Sequence, residues 1–147
     1  MKESQLAARD LGVQLHSMEV STADKIDDAF KEAAKVHSEA LVLTQQGLFS
    51  ANQKRIADLT VKNRLPAIYP RGDYVASGGL MSYGADPNES FKRIASMVDK
   101  ILKGTKPADL PVEQPTKFEL VINLKAADQI GLTIPQKVLV KADKVIK

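Results

Sequence analysis

The sequence predicts an α/β fold, a mainly parallel sheet flanked by helices, in one domain spanning 1–147. Three observations carry this. Helical and strand periodicities alternate along the chain, as right-handed βαβ units require. The run Ala40-Leu41-Val42-Leu43-Thr44 is continuously apolar, as in a parallel-sheet strand covered on both faces. The chain has 147 residues, 44% hydrophobic and 27% charged. That is a globular composition, long enough to bury roughly two-thirds of its unfolded surface.

The elements follow in order. Leu6, Ala7 and Leu11 recur at helical spacing, and Gly12 stands where a left-handed C′ residue belongs. Residues 13–20 alternate apolar and polar, a strand signal. Ser21-Thr22-Ala23-Asp24 reads as a capping box. It opens a helix with Ile26, Ala29, Phe30, Ala33 and Ala34 on one face, ending near His37. After the apolar run at 40–44, Gln45-Gln46-Gly47 is a loop, and Ser50 is expected to cap a helix carrying Ile56, Leu59 and Thr60. Pro66-Ala67-Ile68-Tyr69 is a third strand and Pro70-Arg71-Gly72-Asp73 a turn. The pair Gly78-Gly79 precedes a fourth strand, Leu80-Met81-Ser82-Tyr83.

Asp86-Pro87-Asn88-Glu89 combines an N-cap carboxylate, proline at the first helical position and glutamate at the third. The helix it opens aligns Phe91, Ile94, Ala95, Val98, Ile101 and Leu102, and Gly104 closes it. Pro107, Pro111 and Pro115 make 105–117 an extended connection. Residues 118–123 form a strand whose Asn123 caps a short helix, 124–130, ending at Gly131. A last amphipathic segment begins at Pro135 and carries Val138, Leu139, Ala142, Val145 and Ile146. No internal repeat or low-complexity segment interrupts the pattern.

Composition narrows the function. The net charge is +3 and the pI about 9.1. However, the 21 basic and 18 acidic residues are interspersed, so the surface reads as mixed and solvated rather than as a nucleic-acid face. Cysteine is absent, which removes disulfides and thiolate metal sites. No stretch of roughly 18 apolar residues marks a membrane span. The N-terminal residues lack the apolar core of a signal peptide.

Catalytic patterns are poor. His16 falls on the polar side of a strand and His37 at a helix end, each without a cysteine or carboxylate at ligand spacing. No nucleophile elbow, phosphate-binding loop or dinucleotide fingerprint occurs. Gly78-Gly79 reads as relief of backbone crowding rather than a phosphate cradle. No enzyme activity, cofactor or metal is expected.

Ligands of open parallel sheets bind beyond the carboxyl ends of the strands. The candidate ligand-binding residues are therefore Thr44, Gln45, Gln46, Arg71, Asp73, Tyr83 and Asp86. Arg71 matches a carboxylate, and Asp73 or Asp86 an ammonium. The competing reading makes them turn and cap residues, with Asp86 already occupied as a helix cap.

A longer pattern adds to this. Residues 103–125, KGTKPADLPVEQPTKFELVINLK, are followed by Ala126-Ala127 and Gly131-Leu132-Thr133-Ile134-Pro135. Together with Arg64-Leu65-Pro66-Ala67-Ile68-Tyr69 and Gly78-Gly79-Leu80-Met81-Ser82-Tyr83-Gly84, they resemble the C-terminal half of bacterial ABC-transporter substrate-binding proteins of the tryptophan and tyrosine type. The resemblance covers essentially the whole chain. It implies a Rossmann-like lobe of a two-lobed, type I periplasmic binding protein, which is not an enzyme and hands a small molecule such as an amino acid to an ABC permease. It implies that the three loops named above face the cleft between lobes.

Relative to that pattern the signal peptide, the first lobe and the first strand of the second lobe are missing. The resemblance implies a periplasmic location, whereas a complete gene product of this sequence would be cytoplasmic. It also implies that 78–104 corresponds to a segment normally in the first lobe, leaving Leu80, Met81, Phe91, Ile94, Val98 and Ile101 without partners. The chain is then expected to fold back into one rearranged sheet or to pair with a second copy. A homodimeric interaction protein, truncated and without ligand, is the alternative function.

Overall fold

The computed structural model describes residues 2–147. The chain divides after Glu39 into two compact units.

The N-terminal unit holds helix α1 (Lys2–Asp10), a 3₁₀ turn (Ala23–Lys25) and helix α2 (Ile26–Lys35). Helix α1 ends as the sequence predicts. Gly12 takes φ +67°, and Val13 N–H donates to the Ala8 carbonyl at 2.9 Å, closing a Schellman turn. Helix α2 buries Ile26, Phe30 and Ala33 on its predicted face. Its C-terminus uses the same turn with a non-glycine residue, since His37 takes φ +52° and Ser38 N–H reaches the Ala33 carbonyl at 2.9 Å.

Two expectations fail in this unit. None of the five sheet strands is built from 13–20. The alternation is present, but Val13 and Leu15 are exposed, and alternation makes a strand only when a neighbour completes the ladder. The capping box does not form either. Thr22 makes no side-chain cap, and the helix opens instead through the 3₁₀ turn, where Lys25 N–H donates to the Thr22 carbonyl.

The larger unit runs β1 (Leu41–Val42), α3 (Gly47–Ala51), α4 (Gln53–Lys62), β2 (Ala67–Tyr69), α5 (Gly72–Ala76), β3 (Met81–Ala85), α6 (Pro87–Leu102), β4 (Phe118–Asn123), α7 (Leu124–Ile130), α8 (Gln136–Leu139) and β5 (Lys144–Ile146). Its sheet has the order β1-β2-β3-β4-β5. Pairs β1–β2, β2–β3 and β4–β5 are parallel, and β3–β4 is antiparallel. The fold class is the predicted one.

Register assigns the two faces. Met81 pairs with Ile122, and Ser82 with Val121. On one face Leu80, Ile122, Ala126, Ala127 and Ile134 form the core, with Met81, Leu120, Leu124 and Leu132 packed against it. On the other, α5 is close enough that a Cβ on Gly72 would touch the Val121 and Ser82 side chains at 3.7 and 3.9 Å.

Caps fix the helix ends. The Asp86 carboxylate accepts from Asn88 N–H, with Pro87 at the first helical position. Asn123 Oδ1 accepts from Ala126 N–H at 3.2 Å, and Gly131 closes α7 at φ +74°.

Four local readings are corrected. The apolar run at 40–44 is not covered on both faces, because β1 is an edge strand and Val42 is 68% exposed. Ser50 lies inside α3, donating to the Gln46 carbonyl, and Asn52 occupies the cap position of α4. The turn at Pro70–Asp73 is half helix, since Gly72 and Asp73 already belong to α5. The final amphipathic segment splits into α8 and β5. Asp143 makes the break, because its N–H donates to the Leu120 carbonyl while its carboxylate accepts from Leu120 N–H at 2.8 Å. Val145 and Ile146 are β-branched and suit the edge strand that results.

The segment that lacked expected partners behaves in two ways. Strand β3 lies inside the sheet, with Leu80 4% exposed. Helix α6 buries no residue at all: Phe91, Ile94, Val98, Ile101 and Leu102 remain open.

Candidate functional site

The carboxyl ends of β1, β2 and β3 line one edge of the sheet. Val42 pairs with Ile68 and Tyr69 with Ser82. Continuing that register sets Thr44 level with Pro70, and Arg71 level with Gly84. Thr44, Gln45 and Gln46 are exposed there. The Gln46 backbone enters α3 in extended conformation without capping it by its side chain.

Arg71 and Asp73 form an ion pair, with Nη2 2.6 Å from Oδ2 and side chains 50% and 36% exposed. Asp73 Oδ1 also accepts from Tyr74 N–H at 3.1 Å, inside the first turn of α5. The two charges neutralise one another at the surface. The pair can open to offer a guanidinium fork to a carboxylate and a carboxylate to an ammonium.

What presses these loops together is Gly84. A Cβ at that position would lie 2.0 Å from the Pro70 carbonyl oxygen. Only glycine permits the end of β3 to pass so close to the turn after β2. Gly79 is similarly crowded, since a Cβ there would lie 2.5 Å from a Tyr69 ring carbon and 2.9 Å from the Tyr74 carbonyl oxygen. The sequence reading of Gly78-Gly79 as relief of crowding therefore holds for Gly79 alone, since Gly78 has open space where a Cβ would stand and instead takes φ +106°. Tyr69 and Tyr74 are buried and stacked with centroids 5.1 Å apart. The Tyr69 hydroxyl lies 2.8 Å from Thr60 Oγ1, and burial pushes its pKa up to about 12.

Tyr83 and Asp86 sit differently. Tyr83 is 55% exposed and stacks on Phe118 at 5.5 Å, on the α7 side of the sheet rather than the α5 side that carries Arg71. The Asp86 side chain is 12% exposed and doubly used, capping α6 and pairing with Lys117 Nζ at 2.9 Å. The Lys117 hydrogen bond, then the Asn88 N–H, hold the Asp86 carboxyl below the usual carboxylate range, and Asp86 holds the Lys117 ammonium above its usual value. The capping role weighed from the sequence is thus present at Asp86.

The structure joins Arg71 with Asp73, Tyr83 with Phe118 and Asp86 with Lys117. Thr44–Gln46 join the others only through the sheet register. Sequence reasoning missed Lys117 and Phe118 as partners. They arrive by the antiparallel β3–β4 pairing of Ala85 with Phe118, a contact across more than thirty residues that no local signal announces. A small groove of about 210 Å³ lies between α6 and residues 113–117. Its Arg93 is already held by Glu113, the Gln114 carbonyl and Thr116, so it works as a clamp on the returning chain.

An open, mainly parallel sheet with polar loops along its carboxyl edge defines a lobe of the periplasmic binding protein class. Solved structures agree. A conserved domain protein from Vibrio cholerae O1 biovar eltor superposes with TM-score 0.89 at 25% identity, covering 98% of this chain and 48% of that one. An ABC domain in complex with L-Trp from Streptococcus pneumonia gives 0.86 at 25% identity, covering 99% and 50%. A substrate-binding protein with adhesive properties from Clostridium difficile shares the fold at TM-score 0.69 and 16% identity, covering 99% and 48%. This chain thus spans about half the length of the structures it matches. Comparison with curated proteins finds no match. The family model described as ABC transporter substrate binding protein matches residues 1–146. The chain belongs to the ABC transporter substrate-binding protein family. Among the described residues no helix is long and apolar enough to cross a membrane.

Proposed function

We propose that this chain supplies one wall of the ligand cleft of a solute-binding component for an ABC importer, and that it binds a small zwitterion of the amino-acid class without catalysis. The observation that carries this is the Arg71–Asp73 pair at the carboxyl edge of the sheet in a chain of this family. An α-amino acid brings the two charges that this pair matches. The L-Trp bound to the streptococcal relative supports the ligand class. Thr44, Gln45 and Gln46 would supply hydroxyl and amide contacts around it. An ABC permease would be the protein partner, on the outer side of the cytoplasmic membrane where the family works.

A single wall holds a ligand weakly, so the test must read weak binding. Titration of the 15N-labelled chain with an amino-acid panel should shift the amides of 44–46 and 71–73 and leave the distant α7 amides still. Arg71→Ala should weaken that binding about tenfold or more, because a hydrogen bond to a charged group contributes roughly 1.5–3 kcal/mol. No shift with any amino acid, or shifts unaffected by Arg71→Ala, would sink the reading.

A further inference from the structure

The net charge of +3 is not spread along the chain. Residues 1–123 hold sixteen basic and sixteen acidic side chains and are neutral as a whole. Residues 124–147 hold five lysines, at 125, 137, 141, 144 and 147, against Asp128 and Asp143. The entire excess therefore falls on α7, α8, β5 and their connections. All five lysines are exposed, and among the described residues none of them makes an ion pair. Asp143 does not offset them, because its carboxylate is turned to Leu120 N–H at 2.8 Å.

The fold gathers these charges. Ala126, Ala127 and Ile130 of α7 pack on the same core as Val138 and Leu139 of α8 and the following Ala142. The outer arcs of the two helices thus share one face of the larger unit. Helical periodicity sets Lys137, Val140 and Lys141 opposite the packed Val138, Leu139 and Ala142, and Val140 is 75% exposed. Lys125 is exposed at the start of α7, and Lys144 opens the edge strand β5. A lysine on an edge strand guards it against pairing with another chain. That accounts for Lys144, but not for Lys125, Lys137 and Lys141, which lie outside any strand.

The residue type selects the partner. Protein interfaces are enriched in arginine and depleted in lysine, because a guanidinium fork reads fixed geometry. Every cation on this face is a lysine, a hydrated point charge on a flexible stem. Such a set suits a fluid anionic layer, where charge density counts and fixed geometry does not. Val140 adds an apolar tip between Lys137 and Lys141, suited to the boundary between headgroups and acyl chains. We propose that the outer face of α7, α8 and β5 docks on the anionic headgroups of a lipid bilayer through Lys125, Lys137, Lys141 and Lys144. None of these lysines is a candidate ligand residue, so the inference stands apart from the ligand reading.

Co-sedimentation with lipid vesicles tests it. At low salt the chain should bind vesicles of phosphatidylglycerol and phosphatidylcholine in equal parts at least about tenfold more tightly than phosphatidylcholine alone, since each lysine near an anionic surface raises the partition roughly fivefold. The preference should vanish towards about 1 M salt, where charges are screened beyond about 3 Å. Replacing Lys137, Lys141 and Lys144 together by Gln should cost about tenfold or more of the binding. Replacing Lys92, Lys100 and Lys106 by Gln removes the same charge elsewhere and should leave the preference standing. Both sets are exposed and without ion pairs, so both variants should keep the wild-type unfolding midpoint. Equal binding to the two kinds of vesicle, or equal losses in the two variants, would overturn the proposal. So would binding to soluble poly-glutamate without sedimentation on anionic vesicles, which would assign the face to an acidic polypeptide.

Discussion

Single residues set the geometry of the strand-end loops, and Gly84 sets most of it. Its missing Cβ lets the end of β3 pass within contact of the Pro70 carbonyl. The obstacle is backbone rather than a flexible side-chain tip, so the neighbour cannot yield cheaply. Gly84→Ala should destabilise the fold by about 2 kcal/mol or more, at the scale of an overpacked core, read as a lower urea midpoint with unchanged slope. An unchanged midpoint would mean the close approach relaxes freely. Other residues carry strain without glycine's freedom. His37 and Arg64 take φ +52° and +49° at helix ends, where glycine is the common choice. Asp86 was legible as a cap because Asp-Pro-Asn-Glu is a local signature. Its partner Lys117 was not, because the ion pair is made by strand pairing and not by spacing.

At the scale of elements, caps and neighbours decide what periodicity leaves open. Helix α7 begins where it does because Asn123, 7% exposed at the end of β4, turns its side chain onto Ala126 N–H. Its Nδ2 also donates to the Val75 carbonyl at 3.4 Å, tying α7 to α5. Asn123→Ala should cost about 1–2 kcal/mol, the upper range for a helix cap. Chemical denaturation reads it, and a loss under a few tenths would show that the cap is idle. The strand expected at 13–20 and the single amphipathic segment expected after Pro135 failed for one reason. Alternation and amphipathicity describe which side of a segment is apolar. They do not supply the neighbour that turns an extended chain into a strand, or the Asp143–Leu120 exchange that ends a helix early.

At the scale of the whole molecule, stability is uneven. The middle of the sheet, with Ile122 fully buried between β3 and β5, and the core beneath α7 carry the packing. Helix α6 carries none of it. Hydrogen exchange at dilution should therefore show the slowest amides in β4 and the fastest helical amides in α6, since protection follows local packing. Equal protection in α6 and β4 would mean that the helix is covered within a single chain. Among the described residues, the apolar face of α6 is left open by the larger unit.

The sequence by itself determined the alternation of elements, the caps at Asp86, Asn123, Gly104 and Gly131, and the family. These are local or collinear properties, written in neighbouring residues and in the order of segments along the chain. Only the tertiary structure decided that β1 is an edge, that β3 and β4 run antiparallel, that Arg71 faces Asp73 while Tyr83 turns to Phe118, and that α6 stands uncovered. Each of these depends on which distant segment completes a hydrogen-bond ladder or buries a face, and the spacing of one segment does not contain the position of another.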